Sequence, residues 1–135
     1  MSSTRASGPF ELTMEAQPPY DTAEGATIGR ATFKKRFRGA LDATSTVEMI
    51  SARSPVQGSA GYVAIERVVG ALDGREGTFV LQHSGTMDRG ASSLSVTVVP
   101  DTATGALAGL RGSMAIEIEA GAHRYVFDYE LPPAR

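Results

Sequence analysis

The chain has 135 residues, no cysteine and a formal net charge of −2 at pH 7, and its length is typical of a single domain. Without cysteine, thiol nucleophiles, iron–sulfur clusters and cysteine-based zinc sites are excluded, and the near-neutral charge argues against general binding to nucleic acid. The sequence shows neither a secretory leader nor an apolar run approaching the roughly 18 residues of a membrane span. We therefore expect one domain over residues 1–135, soluble and cytoplasmic, with flexible ends at about 1–7 and 133–135.

Eight segments in which apolar and polar residues alternate predict β-strands. In chain order they cover about residues 10–15, 28–37, 41–50, 58–72, 75–87, 93–99, 113–119 and 124–131. No segment has a helical period, and the stretch 102–112 is predicted to hold only a short helical turn. The pattern is typical of an antiparallel all-β domain, either a sandwich or a barrel. We favour a single eight-stranded barrel, because eight strands enclose a space that side chains can fill or that holds one small ligand.

Lys35 has an unusual place in the second strand, because alternation puts it between Phe33 and Phe37 on one face. The turn that follows leaves the register open. A two-residue Gly39-Ala40 turn sets this aromatic face beside polar residues of the third strand, whereas a three-residue loop with a bulge sets it beside apolar ones. We take the three-residue loop, because apolar faces should meet.

The segment from Gly58 to Met87 is predicted to be a long β-hairpin, because Asp73-Gly74 is a strong signal for a tight turn. Pairing back from that turn gives one face that is mostly large and apolar. Its members are Tyr62, Ala64, Glu66, Val68, Leu72, Phe79, Leu81, His83 and Met87. This face should point inward, which carries Glu66 and His83 into the interior within reach of each other across the strands.

Four polar residues are therefore expected to converge inside the barrel: Lys35, Tyr62, Glu66 and His83. An unpaired buried charge is costly, so such groups should pair with one another or line a cavity. In the functional hypothesis Glu66 or His83 moves protons while Lys35 and Tyr62 donate hydrogen bonds. The aromatic residues expected to line the ligand site are Phe33, Phe37, Phe79, Tyr125, Phe127 and Tyr129. In the alternative, the same network only fixes the strand register.

Other signals are weaker, and no cofactor or metal is expected. The glycines at 105, 109 and 112 do not match a dinucleotide or P-loop fingerprint. His123 lies by the last hairpin turn and is predicted to be exposed. Two distant histidines make a poor metal site, although His83 and Glu66 with a third ligand stay open. The basic row Arg30, Lys34, Arg36 and Arg38 lies on an outward face without interleaved aromatics, so nucleic-acid binding is not expected.

Several longer segments resemble the bacterial family catalogued as domain of unknown function 3224. They are the run from Gly29-Arg30 through Phe33, Lys35, Phe37 and Gly39, then GSAGYVAIERVVG, FVLQHSGTM, VTVVPD and TGALAGLRGSM. The resemblance covers nearly the whole chain and implies a small barrel similar to allene oxide cyclase, whose superfamily has a glycine-rich turn that TGALAGLRG resembles. It implies no activity, because that family is defined as uncharacterised and fold analogy is a weak argument for function.

Two functions follow as hypotheses. The favoured one is a barrel that binds a small, largely apolar molecule in its interior, with cofactor-free isomerase or cyclase chemistry by acid and base groups as its use. The alternative is a structural or interaction barrel with a filled core. In either case we expect a monomer or homodimer that binds neither nucleic acid nor membrane.

Overall fold

The computed structural model describes residues 3–132 and shows eight antiparallel strands closed into a barrel, each paired with the next and β8 with β1. The strands are β1 (Thr4–Ala16), β2 (Thr27–Phe37), β3 (Leu41–Arg53), β4 (Ala60–Leu72), β5 (Arg75–Asp88), β6 (Ala91–Val98), β7 (Arg111–Glu119) and β8 (Ala122–Glu130). Helix among the described residues is limited to a 3₁₀ turn at Gly105–Leu107, and none of it is long and apolar enough to cross a membrane. The predicted all-β, eight-stranded antiparallel barrel is confirmed.

Strand β1 begins six residues earlier than the sequence pattern predicted. Thr4 to Ser7 pair with β8, within the segment where a flexible end is expected; residues 1–2 and 133–135 lie outside the described residues. A side chain at Gly8 would lie 2.2 Å from the Arg38 carbonyl oxygen and 2.9 Å from the Tyr125 hydroxyl, so this glycine marks a close approach within a strand rather than its end.

The connection between β2 and β3 has the expected three residues, 38–40. Phe37 lies opposite Ala43 and Phe33 opposite Val47, so the apolar faces meet as predicted. The hairpin between β4 and β5 turns at Asp73 and Gly74, whose φ angles of 48° and 82° are those of a type I′ turn.

One end of the barrel is closed by apolar side chains. The segment between β6 and β7 crosses this end and buries Leu107 and Leu110. Aromatic rings pack beneath it, with centroid distances of 5.8 Å for Phe79–Phe127 and 5.5 Å for Phe127–Tyr129. This end is therefore solid core.

The opposite end is an open mouth. Four apolar residues point inward by register but lie near this rim and stay between 44% and 66% exposed: Met14, Met87, Leu94 and Ile118. Met87 points inward as predicted but stays exposed, because it lies at the last inward position of β5. On one side of the mouth the described pairing between β6 and β7 is a single pair, Thr97 with Ser113. The core thus fills half of the barrel and leaves the other half accessible.

Candidate functional site

Glu66 lies at the boundary between the closed and open halves, on the inward face of β4. It is 0% exposed and both of its oxygens are occupied. Oε1 lies 2.7 Å from His83 Nε2 and 3.2 Å from Lys35 Nζ, and Oε2 accepts a 2.6 Å hydrogen bond from the Ser45 hydroxyl. Donors from β2, β3 and β5 thus converge on one carboxylate and tie four strands together.

The surroundings of Glu66 keep it ionised. Burial by itself raises the pKa of this carboxyl group through loss of solvation. The hydrogen bond from His83, the charge of Lys35 and the hydrogen bond from Ser45 act in the other direction, and the net result is a pKa below the ordinary value. An ionised carboxylate only accepts hydrogen bonds, so the proton between Glu66 and His83 belongs to Nε2 of the imidazole.

The other ring nitrogen of His83 faces open space. Within residues 3–132, every side-chain nitrogen or oxygen that is shielded from solvent has a hydrogen-bond partner. The hydrogen bond of the His83 ring is made at Nε2 and not at Nδ1. Nδ1 is therefore not sealed, and the open space that His83 borders is the cavity described below. In the neutral tautomer that carries the proton on Nε2, Nδ1 has a lone pair, so it can serve as a hydrogen-bond acceptor or a base toward the cavity.

Lys35 lies next to His83 with its charge in aromatic surroundings. Its Nζ atom is 5.1 Å from the ring centroid of Phe10 and 5.8 Å from that of Phe37, distances at which a ring face attracts a cation. The side chain is only 7% exposed. Its ammonium group has three N–H donors and Glu66 accepts from one of them, so donors remain for a group in the cavity.

The mouth leads into a cavity of about 160 Å³ above this polar floor. Its walls are mostly apolar, and its lining consists of Phe10, Leu12, Phe33, Lys35, Val47, Met49, Tyr62, Ala64, His83, Ile116 and His123. The arrangement combines an apolar enclosure with one hydrogen-bond donor and one base on the same side, which is the usual composition of a small-molecule site.

The structure brings some of the predicted site residues together and separates others. Lys35, Glu66 and His83 meet, and Lys35, His83, Tyr62 and Phe33 line the cavity. Glu66, predicted as a catalytic group, lies beneath the lining and supports it. Five aromatic residues predicted to bind ligand belong instead to the closed end, where their rings fill the core: Phe37, Phe79, Tyr125, Phe127 and Tyr129.

Tyr62 lies on the cavity wall beside Gly85, its cross-strand partner. A Cβ atom at Gly85 would lie 2.5 Å from Cε1 of the Tyr62 ring, so the glycine gives the ring room to lie flat against β5. Burial, and next the charge of Glu66, raise the pKa of the Tyr62 hydroxyl. Tyr62 is therefore a neutral wall of the cavity and no part of the hydrogen-bonded cluster.

Comparison with known proteins places the chain in a family. Residues 6–129 match the family described as "Protein of unknown function (DUF3224)". The chain belongs to the DUF3224 family. The crystal structure of a DUF3224 protein of unknown function from Shewanella oneidensis MR-1 is similar to it, with 46% identity, a TM-score of 0.92, and coverage of 98% of this chain and 100% of that one. A comparison with curated proteins finds no match.

Two polar residues of this DUF3224 site were missed in the sequence. Ser45 lies between Ala43 and Val47 on the inward face of β3, so strict alternation could have found it. His123 was predicted to be exposed in a turn, but it belongs to β8, is half-buried, and packs its ring 5.3 Å from that of Phe10. Its place two residues before Tyr125 on the same face was the available signal. In the part of the chain that is described, no group of three or more metal-binding side chains is found.

Proposed function

We propose that this barrel binds a small, mostly apolar molecule that carries one carbonyl or carboxylate group. The observation that carries the proposal is the cavity itself, with apolar walls on most sides and Lys35 and His83 together at its floor. Beyond the bonds that hold Glu66, Lys35 keeps further N–H donors and His83 a second ring nitrogen, so both can bind a polar group that enters the cavity.

The volume sets the size of the ligand. An apolar cavity of about 150 Å³ takes up a molecule as large as benzene, and this cavity measures about 160 Å³. The matching ligand is therefore a single ring or a short branched chain with one polar head. A larger molecule would extend past the rim, where the exposed apolar residues of the mouth would contact it.

The floor sets the chemistry of the polar head. Lys35 donates a charge-assisted hydrogen bond to an oxygen, and neutral His83 accepts a proton or a hydrogen bond at Nδ1. A ketone with a hydrogen on the adjacent carbon satisfies both. In a β,γ-unsaturated ketone, Lys35 would stabilise the negative charge on the dienolate oxygen, and His83 would take the proton from the α carbon and return it to the γ carbon as the double bond moves into conjugation. Glu66 would stabilise the imidazolium that forms in between. This sequence is an isomerisation that needs no cofactor.

The structural alternative is favoured by a different observation. Glu66 is fully buried and both of its oxygens accept hydrogen bonds. The aromatic rings of the closed end fill about half of the interior. A barrel that only needs its register fixed would have these features. The resemblance to the allene oxide cyclase barrels, which the family resemblance implies, favours the ligand-binding proposal as an analogy of fold.

Titration with three probes distinguishes the two functions: benzoate, acetophenone, and toluene as the apolar control without a head. We expect the first two to bind at least about tenfold more tightly than toluene, the factor that about 1.4 kcal/mol from a charged hydrogen bond gives. Lys35→Met should abolish that preference, whereas Lys34→Met, on the neighbouring outward position, should not. Ala64→Leu fills the cavity without changing its polar groups, so it should prevent binding of all three.

Two outcomes of the titration would count against the proposal. Equal binding to wild type and to Ala64→Leu would place the probes outside the cavity. Absence of binding by every probe would favour the structural alternative. Exchange of the methyl protons of bound acetophenone for deuterium, lost in His83→Gln, tests the proton-transfer step separately from binding.

A further inference from the structure

The outer face of the barrel over β3 and β4 exposes an apolar patch unlike the rest of the surface. Four branched aliphatic side chains point outward and are about half exposed: Ile50 at 49%, Val63 at 55%, Ile65 at 50% and Val69 at 49%. Ile50 and Val63 lie directly opposite each other on neighbouring strands. Together with Ile65 they border a shallow groove of about 480 Å³ whose other walls include Arg30, Glu48 and Gln82.

Three charged residues border this patch, namely Arg30, Glu48 and Arg67, and the outward positions beyond them on β4 and β5 carry little charge. Consider the outward positions of β4 and β5 from Val63 to Ser84, leaving out those next to the turn. Arg67 is the charged residue among them, and the others have aliphatic, hydroxyl or amide side chains. Strand β2, which pairs with β3, carries Arg30, Lys34 and Arg36 on its outward face, and Arg30 lies directly opposite Ile50. An apolar centre with few charges is the composition of the buried core of a protein interface, and exposed patches of this kind mark interaction sites.

We propose that this face is the contact surface between two copies of this chain. The charges at its edge have both signs: Glu48 and Arg67 lie diagonally to each other on β3 and β4, with Ile65 next to both. A two-fold axis that stacks each Ile65 on its counterpart can set each Arg67 above the Glu48 of the other copy. The patch is therefore complementary to itself, as a symmetric dimer requires. A site for a partner whose charges are all of one sign would instead need rim charges that are all of the opposite sign.

The face is also large enough. Three strands about 4.8 Å apart and about 13 residues long at 3.3 Å per residue give a rectangle of roughly 14 by 43 Å, or on the order of 600 Å² before side-chain relief is counted. Two such faces together would bury about 1,200 Å², the lower end of the range for specific protein interfaces. The mouth of the cavity lies at the end of the barrel and stays free in such a dimer, so this inference does not depend on the proposed ligand.

Light scattering during size-exclusion chromatography tests the inference on the purified full chain. Loaded at about 100 µM, above the micromolar Kd expected for the weakest interfaces of this size, the wild type should have the mass of a dimer. Ile65→Glu should have the mass of a monomer, with an unchanged circular dichroism spectrum. Thr13→Glu, an outward substitution on β1, serves as the matched control and should remain dimeric.

A charge exchange tests the two-fold arrangement itself. Glu48→Arg should weaken the dimer at least tenfold, and the double variant Glu48→Arg/Arg67→Glu should recover most of that loss. A monomeric wild type at the stated concentration would overturn the inference, as would a dimer that Ile65→Glu leaves intact or that Thr13→Glu dissociates. Failure of the double variant to recover would reject the proposed symmetry.

Discussion

Glu66 accepts hydrogen bonds at Oε1 from both His83 Nε2 and Lys35 Nζ, at 2.7 Å and 3.2 Å. Two potential cations thus share one oxygen of a fully buried acid, while the Ser45 hydroxyl occupies the other oxygen. The carboxylate has no face left for a ligand. Its place in the barrel is that of an anchor, which fixes the orientation of the two groups that do face the cavity.

Glu66→Gln is therefore expected to destabilise the fold. The amide keeps the shape of the side chain but removes the charge that compensates Lys35, and breaking a buried pair in this way costs about 3–5 kcal/mol. Denaturant unfolding at neutral pH measures the loss. Glu15→Gln, an exposed substitution near the mouth, is the control and should change stability by less than about 0.5 kcal/mol. A loss below about 1 kcal/mol in Glu66→Gln would show that the charge is dispensable.

Acid should remove the contribution of Glu66. Because its pKa is lowered in the folded state, the unfolded chain binds this proton more readily, and stability rises with pH across the interval between the two pKa values. The contribution is complete well above the ordinary value of 4.5 and is lost as pH falls below it through the folded pKa. The difference in unfolding free energy between wild type and Glu66→Gln should thus shrink between neutral pH and about pH 3. A constant difference would assign the effect to shape rather than charge.

Gly85→Ala should narrow the cavity by moving Tyr62. The new methyl group would lie 2.5 Å from Cε1 of the ring, so the ring must leave its place against β5 and turn toward the cavity. We expect ligand affinity to fall at least about tenfold with a stability loss of about 1–3 kcal/mol, as for other overpacked sites. Gly61→Ala is the matched control, because its methyl group would have its nearest neighbour at 3.7 Å.

The double variant Gly85→Ala/Tyr62→Ala checks the cause of that effect. If the ring is what blocks the cavity, removing it should restore affinity and give a large coupling energy between the two positions. Additive losses would mean that the alanine acts on the strand itself.

Tyr129→Phe should change how stability responds to alkali. Burial, and next the hydrogen bond that the Tyr129 hydroxyl donates to Asp73, raise its pKa from 10.0 to about 12. A raised folded pKa contributes stability that is complete below the ordinary pKa and is lost as pH rises through the folded value. The variant should be less stable at neutral pH by about 1.5–3 kcal/mol, the worth of a hydrogen bond to a charged group. This difference should narrow above pH 10, whereas Tyr20→Phe, an exposed control, should show no such change.

The barrel and the meeting of Lys35, Glu66 and His83 could be predicted because they depend on period-two alternation, which assigns each residue to one of two faces. Alternation does not predict how far along the barrel axis a residue lies, and therefore not whether it reaches the closed end or the mouth. Phe33 and Phe37 share a face of β2, yet one lines the cavity and the other fills the core, because the β6–β7 segment covers only one end. The same reason explains why Met87 is exposed while Leu81 is buried on the same face of β5.

The reversal of roles at Glu66 had a different origin. Alternation places a carboxylate inside the barrel but does not count its donors, and Ser45 was overlooked between two apolar neighbours. With only His83 and Lys35 as partners, an oxygen would have been left to face the cavity. The third donor, Ser45, occupies that oxygen with a hydrogen bond of 2.6 Å. This contact depends on side-chain packing, which alternation alone does not specify.

The single pair between Thr97 and Ser113 gives the wall of this barrel a seam. Elsewhere the ladders run for seven pairs or more, so a fluctuation that separates β6 from β7 breaks few hydrogen bonds and leaves the closed end in place. Such local opening has a much lower free energy than global unfolding. The seam borders the mouth, where Leu94 and Ile118 are exposed, so we expect the wall beside the mouth to be the part of the barrel that opens most readily.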